Sequence, residues 1–294
     1  MFSYQHEYHA GNHADVLKHI CLTLILDGLT KKDKPFTLID SHAGAGRFSL
    51  DDERLLKTGE ATGGILSLVQ YAEKNGFPSS VARYLEVEKK YLEKGLYAGS
   101  PELERFFLRN GDALHLIEKH PQALSSLKVN AEKNLLTDGG EKKCGGKCFI
   151  HDEDSYTALN ALVPPQIKRG LVLCDPSFEE RSDYTKVTAA LKNVRKKWNT
   201  AVIALWYPIL ERKKNETAQM LAELEDFGKL GVNPCESIKC EFHLFDSENI
   251  PEEMKKEDGS HMTGSGMFIM NPPWQLKEKM EEAIHYLETA LKNK

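Results

Sequence analysis

Seven short apolar runs punctuate the chain, and most are apolar at successive positions rather than alternate ones. They are Phe36–Asp40, Leu114–Glu118, Cys148–Asp152, Gly170–Asp175, Ala201–Tyr207, Ile238–Phe245 and Gly266–Asn271. Between the later runs, apolar residues recur at helical spacing over residues 122–135, 184–198, 216–230 and 276–291. Strands apolar on both faces that alternate with helices predict an α/β fold, a mostly parallel, doubly wound seven-stranded sheet. One interval departs from the alternation. From Leu50 to Asn110 the pattern is helical with no strong strand, and the interval is far longer than a crossover needs. The expectation is a main domain of residues 1–49 and 111–294, with a helical insertion subdomain, 50–110, after the first strand.

Composition agrees with a globular chain. The 294 residues are 40% hydrophobic and 28% charged, which excludes disorder or a coiled coil as the main architecture. The longest uncharged apolar run, Asn199–Leu210, falls short of the roughly 20 residues of a membrane helix. The start of the chain has no apolar leader pattern, so the expected location is cytoplasmic. A net charge of −5 argues against indiscriminate coating of nucleic acid, while Lys192–Lys197 and Glu211–Lys214 remain available as local basic tracks. The six cysteines form no pair of CxxC knuckles, and Cys144 and Cys148 read as free thiols in a Gly/Lys-rich surface loop.

The chemistry concentrates at strand ends, where open α/β sheets bind their ligands. The first run ends Asp40-Ser-His42-Ala-Gly44-Ala-Gly46. An acid followed by a glycine-rich turn into a helix is a nucleotide-cofactor loop, because glycine lets the backbone approach the ligand. The third glycine of a dinucleotide fingerprint would fall at Ser49, which disfavours a nicotinamide cofactor. An acid at Asp40 suits a ligand bearing an ammonium and a sulfonium, as S-adenosylmethionine (SAM) does. Glu118 closes the second run, placed for ribose hydroxyls, and Asp152 and Asp154 follow the third, within reach of an adenine amino group.

The fourth run ends Asp175-Pro176-Ser177-Phe178. This approaches the (Asp/Asn/Ser)-Pro-Pro-aromatic tetrad of enzymes that methylate exocyclic amines. Such an amine is a poor nucleophile because its lone pair is delocalised into the ring. A carboxylate at Asp175 and the carbonyl of Pro176, accepting its two N–H groups, would aim the lone pair at the methyl donor. Phe178 would stack on the base. No metal is required. A second tetrad, Asn271-Pro272-Pro273-Trp274, comes too close to the end of the chain and reads as a strand stop with a packed Trp. In the N-terminal segment, His9 and His13 would share a helical face, a pairing that lacks a third metal ligand. Lys18 and His19 are expected to face the cofactor and Tyr4 the substrate, and Ser100 reads as a helix N-cap.

With these residues in place, the chain resembles the RlmJ-type 23S rRNA (adenine-N6) methyltransferases almost end to end. The shared strings include SYQHEYHAGNHADVLKH, DSHAGAGR, YAGSP, IEKHP, RGLVLCDPSFE, ALWYP and SGMFIMNPPW. The resemblance implies a class I SAM-dependent, Rossmann-like fold acting on one adenine of protein-free 23S rRNA, adenine 2030. It implies SAM contacts at His19, His42, Ser100, Glu118, Asp154 with Ser155, and Asp175, with Asp175 also catalytic and Tyr4 a substrate contact. It implies a monomer with no obligatory protein partner and no membrane. Two positions depart from the family pattern: Ser155 stands where it has Gly, and Ser177 where it has the second Pro of the tetrad. The alternatives are a DNA adenine-N6 methyltransferase, and a SAM- and RNA-binding protein whose catalysis Ser177 has weakened.

Overall fold

The computed structural model describes residues 6–132, 145–230, 233–245 and 261–292. Tyr4, Cys144 and most of the Thr137–Lys147 loop lie outside them.

All seven apolar runs are strands of one sheet. These are β1 (Thr37–Asp40), β4 (Ala113–Ile117), β5 (Lys147–His151), β6 (Gly170–Cys174), β7 (Val202–Leu210), β8 (Ser237–His243) and β9 (Met262–Met270). Their spatial order is β5-β4-β1-β6-β7-β9-β8, with only β9 antiparallel to its neighbours. This is the seven-stranded, mostly parallel sheet that the apolar runs predict. β1 and β6, at its centre, are buried at every position, which is why the runs read as continuous rather than alternating. The predicted helices are α6 (Pro121–Glu132), α8 (Arg181–Lys197), α9 (Lys214–Lys229) and α10 (Leu276–Leu291).

The N-terminal segment contributes an element that periodicity misses. α1 (His13–Thr30) starts at Asn12, whose side chain accepts from the amides of Ala14 and Asp15. The helix is buried on nearly all sides, so it shows no amphipathic stripe. His9 precedes its first turn and pairs with Glu60 at 2.9 Å, so His9 and His13 do not share a helical face.

The interval after β1 also differs from expectation. The glycine loop runs into a short strand, β2 (Arg47–Ser49), rather than a helix. Then come α2 (Glu53–Thr58), α3 (Ser67–Asn75), α4 (Ser79–Leu92) and β3 (Leu96–Ala98), which pairs antiparallel with β2. Both strands are three residues long, too short to leave a pattern in the sequence. α5 (Ser100–Phe107) follows and packs against β1 and β4, the position of the helix expected directly after β1. Residues 50–99 therefore separate the cofactor loop from its helix, and one hydrophobic core runs through α1, α4, α5 and the sheet.

Trp274 corrects a second reading. It is 88% exposed rather than packed, while Pro273 fills the space over Gly28. Because β9 is antiparallel, Asn271 ends at the edge opposite the β6 terminus, its side-chain amide donating to the carbonyls of Thr200 and Ala201.

Candidate functional site

The carboxyl ends of β1, β4, β6 and β7 open into one cavity of about 910 Å³. Its floor begins with the loop after β1. Gly44 and Gly46 take positive φ values of 60° and 82°, a conformation that favours glycine. The amide of Gly44 donates to Glu118 at 2.7 Å, and the amide of Gly99 donates to the carbonyl of Gly46 at 2.8 Å. A Cβ on Gly99 would lie 2.8 Å from that oxygen, so the ribbon closes the loop only if position 99 is bare. Glu118 also accepts from the His120 amide at 2.6 Å, holding its carboxylate at the rim.

Asp40 sits beneath this loop, fully buried, rather than along the cavity wall. One oxygen accepts from Ser100 Oγ at 2.6 Å and the other from the His42 amide at 3.1 Å. Burial pushes its carboxyl up to about 6, against the pull of those two bonds. Ser100 is the first residue of α5, with Gly99 at the cap position and no side-chain cap, so its hydroxyl orders Asp40 instead of capping the helix. His42 lies on the cavity wall, its ring edge-on to Tyr156, and burial lowers it to about 4, which keeps it neutral at pH 7.

Asp154 caps α7 (Ser155–Leu162), accepting from Thr157 N at 3.1 Å. Ser155, where the family pattern has Gly, donates its hydroxyl to the carbonyl of Ser41 at 2.5 Å. The substitution thus ties α7 to the cofactor loop. Gly44, Ser100, Glu118, Asp154 and Ser155 all line the cavity with His42. The carboxylates of Glu118, Asp154 and Asp175 along the cavity match a ligand that carries hydroxyls, an amino group and a cationic centre. On that donor set, the site fits SAM.

Across the cavity, the Asp175 carboxylate follows β6, and its Oδ2 accepts from Lys18 Nζ. The same ammonium lies 2.8 Å from Asp15 Oδ1. Asp15 is buried and also accepts from His6 Nε2 at 3.0 Å and from the Gly11 amide at 2.9 Å. Burial alone would raise its carboxyl, but the charges of His6 and Lys18 overcome that and hold it well below the usual range. Lys18 remains protonated, because two carboxylates outweigh its own desolvation. Its neighbour His19 bonds Tyr97 Oη through Nδ1 at 2.7 Å, and burial lowers it to about 3. The segment before α1 is thereby fastened to the end of β6.

The comparisons with known proteins decide the family. The family described as Ribosomal RNA large subunit methyltransferase D, RlmJ, matches residues 33–294. The chain belongs to the RlmJ family. Ribosomal RNA large subunit methyltransferase J of Escherichia coli is 34% identical over 99% of this chain and 94% of its own length. The Haemophilus influenzae protein of the same name is 36% identical with the same coverage. A crystal structure from Legionella pneumophila superposes with a TM-score of 0.79 at 31% identity, covering 97% of this chain and 94% of that one.

Within this RlmJ-family chain, the structure gathers Lys18, His19, His42, Gly44, Ser100, Glu118, Asp154, Ser155, Asp175 and Pro176 around one cavity. It keeps three expected residues out of the lining: Asp40 and Gly46 lie behind the loop, and Phe178 faces inward. Phe178 is 3% exposed with a φ of 51°, and its ring packs on Tyr184 at 4.7 Å. The left-handed backbone there turns its side chain into the core. Asp15 and Trp206 line the cavity and escaped the sequence reading. The i,i+3 spacing of Asp15 and Lys18 was the available signal for the first.

Proposed function

We propose that this protein transfers the methyl group of SAM to the N6 of one adenine in 23S rRNA, adenine 2030, acting on protein-free RNA in the cytoplasm. The observation that carries the reading is the Asp175 carboxylate at the end of β6, bridged by Lys18 and sharing one cavity with His42, Gly44, Glu118 and Asp154. Lys18 occupies Oδ2 of Asp175, which leaves Oδ1 and the Pro176 carbonyl to accept the two N–H bonds of the amine. That pair localises the lone pair on N6 and fixes its direction, a gain in both orientation and electrostatics. Bound SAM supplies an electrophilic methyl on its sulfonium. Transfer of that methyl would leave the amine with one proton too many, and Oδ1 of Asp175 is placed to accept it. Residues 50–99 serve as the insertion that brings Gly99 back to close the cofactor loop.

The test is transfer of a labelled methyl group from SAM to protein-free 23S rRNA lacking the modification, with Asp175→Ala alongside. The expected result is label in N6-methyladenine with the unmodified protein only. Label on duplex DNA in preference to rRNA would move the activity to the alternative polymer, and full activity in Asp175→Ala would overturn the mechanism. Ser177, exposed where the tetrad has Pro, favours one second reading, a cofactor- and RNA-binding protein with weakened transfer. Recovery of turnover in Ser177→Pro would support it.

A further inference from the structure

The inward turn of Phe178 leaves the acceptor base without its expected platform, and the register of the sheet supplies another. β6 and β7 are parallel neighbours paired through Cys174 and Leu205. One step further along each strand come Asp175 and Trp206, on chains about 4.8 Å apart. Trp206 lines the cavity together with Pro176 and Ser177. Phe178 stands behind it, ring centroids 6.4 Å apart. Trp206 is half-buried, and its indole N–H finds no partner among the described residues. Past Trp206 the wall continues through Pro208, Leu210, Leu244 and Met262, and ring nitrogens of His13 and His261 find no partner among the described residues.

We infer that Trp206 is the platform on which the acceptor purine stacks, while Phe178 acts from behind as its positioning residue. The inference deepens the reading of this cavity as an adenine-methylating site and rests on it. It assigns the aromatic role to the strand beside Asp175 rather than to the loop that follows it. The chemical class required is a planar heterocycle with an exocyclic amine.

The test uses the full-length protein, a short RNA oligonucleotide with an unpaired adenine, and the variants Trp206→Phe and Trp206→Ala. Indole emission of the unmodified protein is expected to be quenched by the oligonucleotide, and Trp206→Phe to lose that quenching. In the transfer assay, Trp206→Ala is expected to raise KM for RNA roughly ten-fold or more, with Trp206→Phe in between, because ring stacking carries much of the affinity for an unpaired base. SAM affinity, measured by calorimetry, stays unchanged in both. Trp206→Phe retains a ring, so it also controls for loss of fold. Quenching that survives in Trp206→Phe, or a KM for RNA in Trp206→Ala within about two-fold of the parent, overturns the inference. The quenching needs no turnover, so it judges the platform even if the unmodified protein transfers no methyl, a result that would count against the catalytic reading alone.

Discussion

Replacing Asp15 with Asn tests how the N-terminal segment is fastened to the end of β6. The carboxylate accepts from three donors: Lys18 at 2.8 Å, His6 at 3.0 Å and the Gly11 amide at 2.9 Å. Asparagine has nearly the same shape but only one acceptor oxygen. If that oxygen faces Lys18, the amide nitrogen confronts the Gly11 amide and His6; flipped, it confronts the ammonium. Either way a buried donor loses its acceptor, and Lys18 keeps only Asp175 for neutralisation. Removing one partner of a buried ion pair costs about 3–5 kcal/mol. At roughly 2 °C per kcal/mol for a chain of this size, the thermal midpoint at pH 7 should fall by about 6–10 °C. The sign with pH follows from the depressed carboxyl. Asp15 contributes fully above its ordinary value of 3.8, and the contribution drains away as pH falls below it, so the gap between parent and variant narrows in acid. Methyl transfer should fall with it, because Lys18 then turns wholly to Asp175. Calorimetric melting at pH 7 and at pH 3 reads the effect, and a drop of less than about 2 °C at pH 7 would refute the reasoning.

Three further outcomes follow from other parts of the structure. Asp40→Asn keeps the bond from the His42 amide and reverses the other, its new amide donating to Ser100 Oγ, while it removes a buried charge whose carboxyl is raised to about 6. The variant should be the more stable at pH 8, by on the order of 2 kcal/mol, with the advantage shrinking as pH falls from 6 toward 4; denaturant titrations at both ends of that range check it. Gly99→Ala puts a methyl 2.8 Å from the Gly46 carbonyl and 3.2 Å from the Phe48 ring, so SAM binding should weaken by about 1–3 kcal/mol, read by isothermal titration. Trp274→Ser should leave stability within about 0.5 kcal/mol, since the ring touches little; an unfolding titration is sufficient to check it.

The sheet was legible in the sequence because its strands are buried on both faces and so stand out as apolar runs. α1 was not, because a helix buried all round and studded with His and Lys carries no stripe. The ribbon of β2 and β3 was hidden by its length. At the site, acids at strand ends marked where ligands sit but not which oxygens are already spoken for. Asp40 has the expected position and yet spends both oxygens on Ser100 and His42. Ser100 looked like a cap because Ser precedes a helix, whereas Gly99 already occupies that place. Phe178 was misplaced for a different reason: its left-handed backbone angle is set by the turn after Pro176, and no residue type announces it.

The order in which these parts leave the ribosome matters as well. The floor of the cavity is sealed by Gly46 against Gly99, two positions separated by the whole of α2, α3 and α4. The glycine loop therefore emerges early and waits for the second half of its own seal. β1, the first strand made, lies at the centre of the sheet and gains its neighbours β4 and β6 only later. Among the described residues the last helix, α10, packs on α1, α3 and α4, so the two ends of the described chain meet. A chain that stops before α10 leaves the faces of α1, α3 and α4 that this helix covers open to solvent.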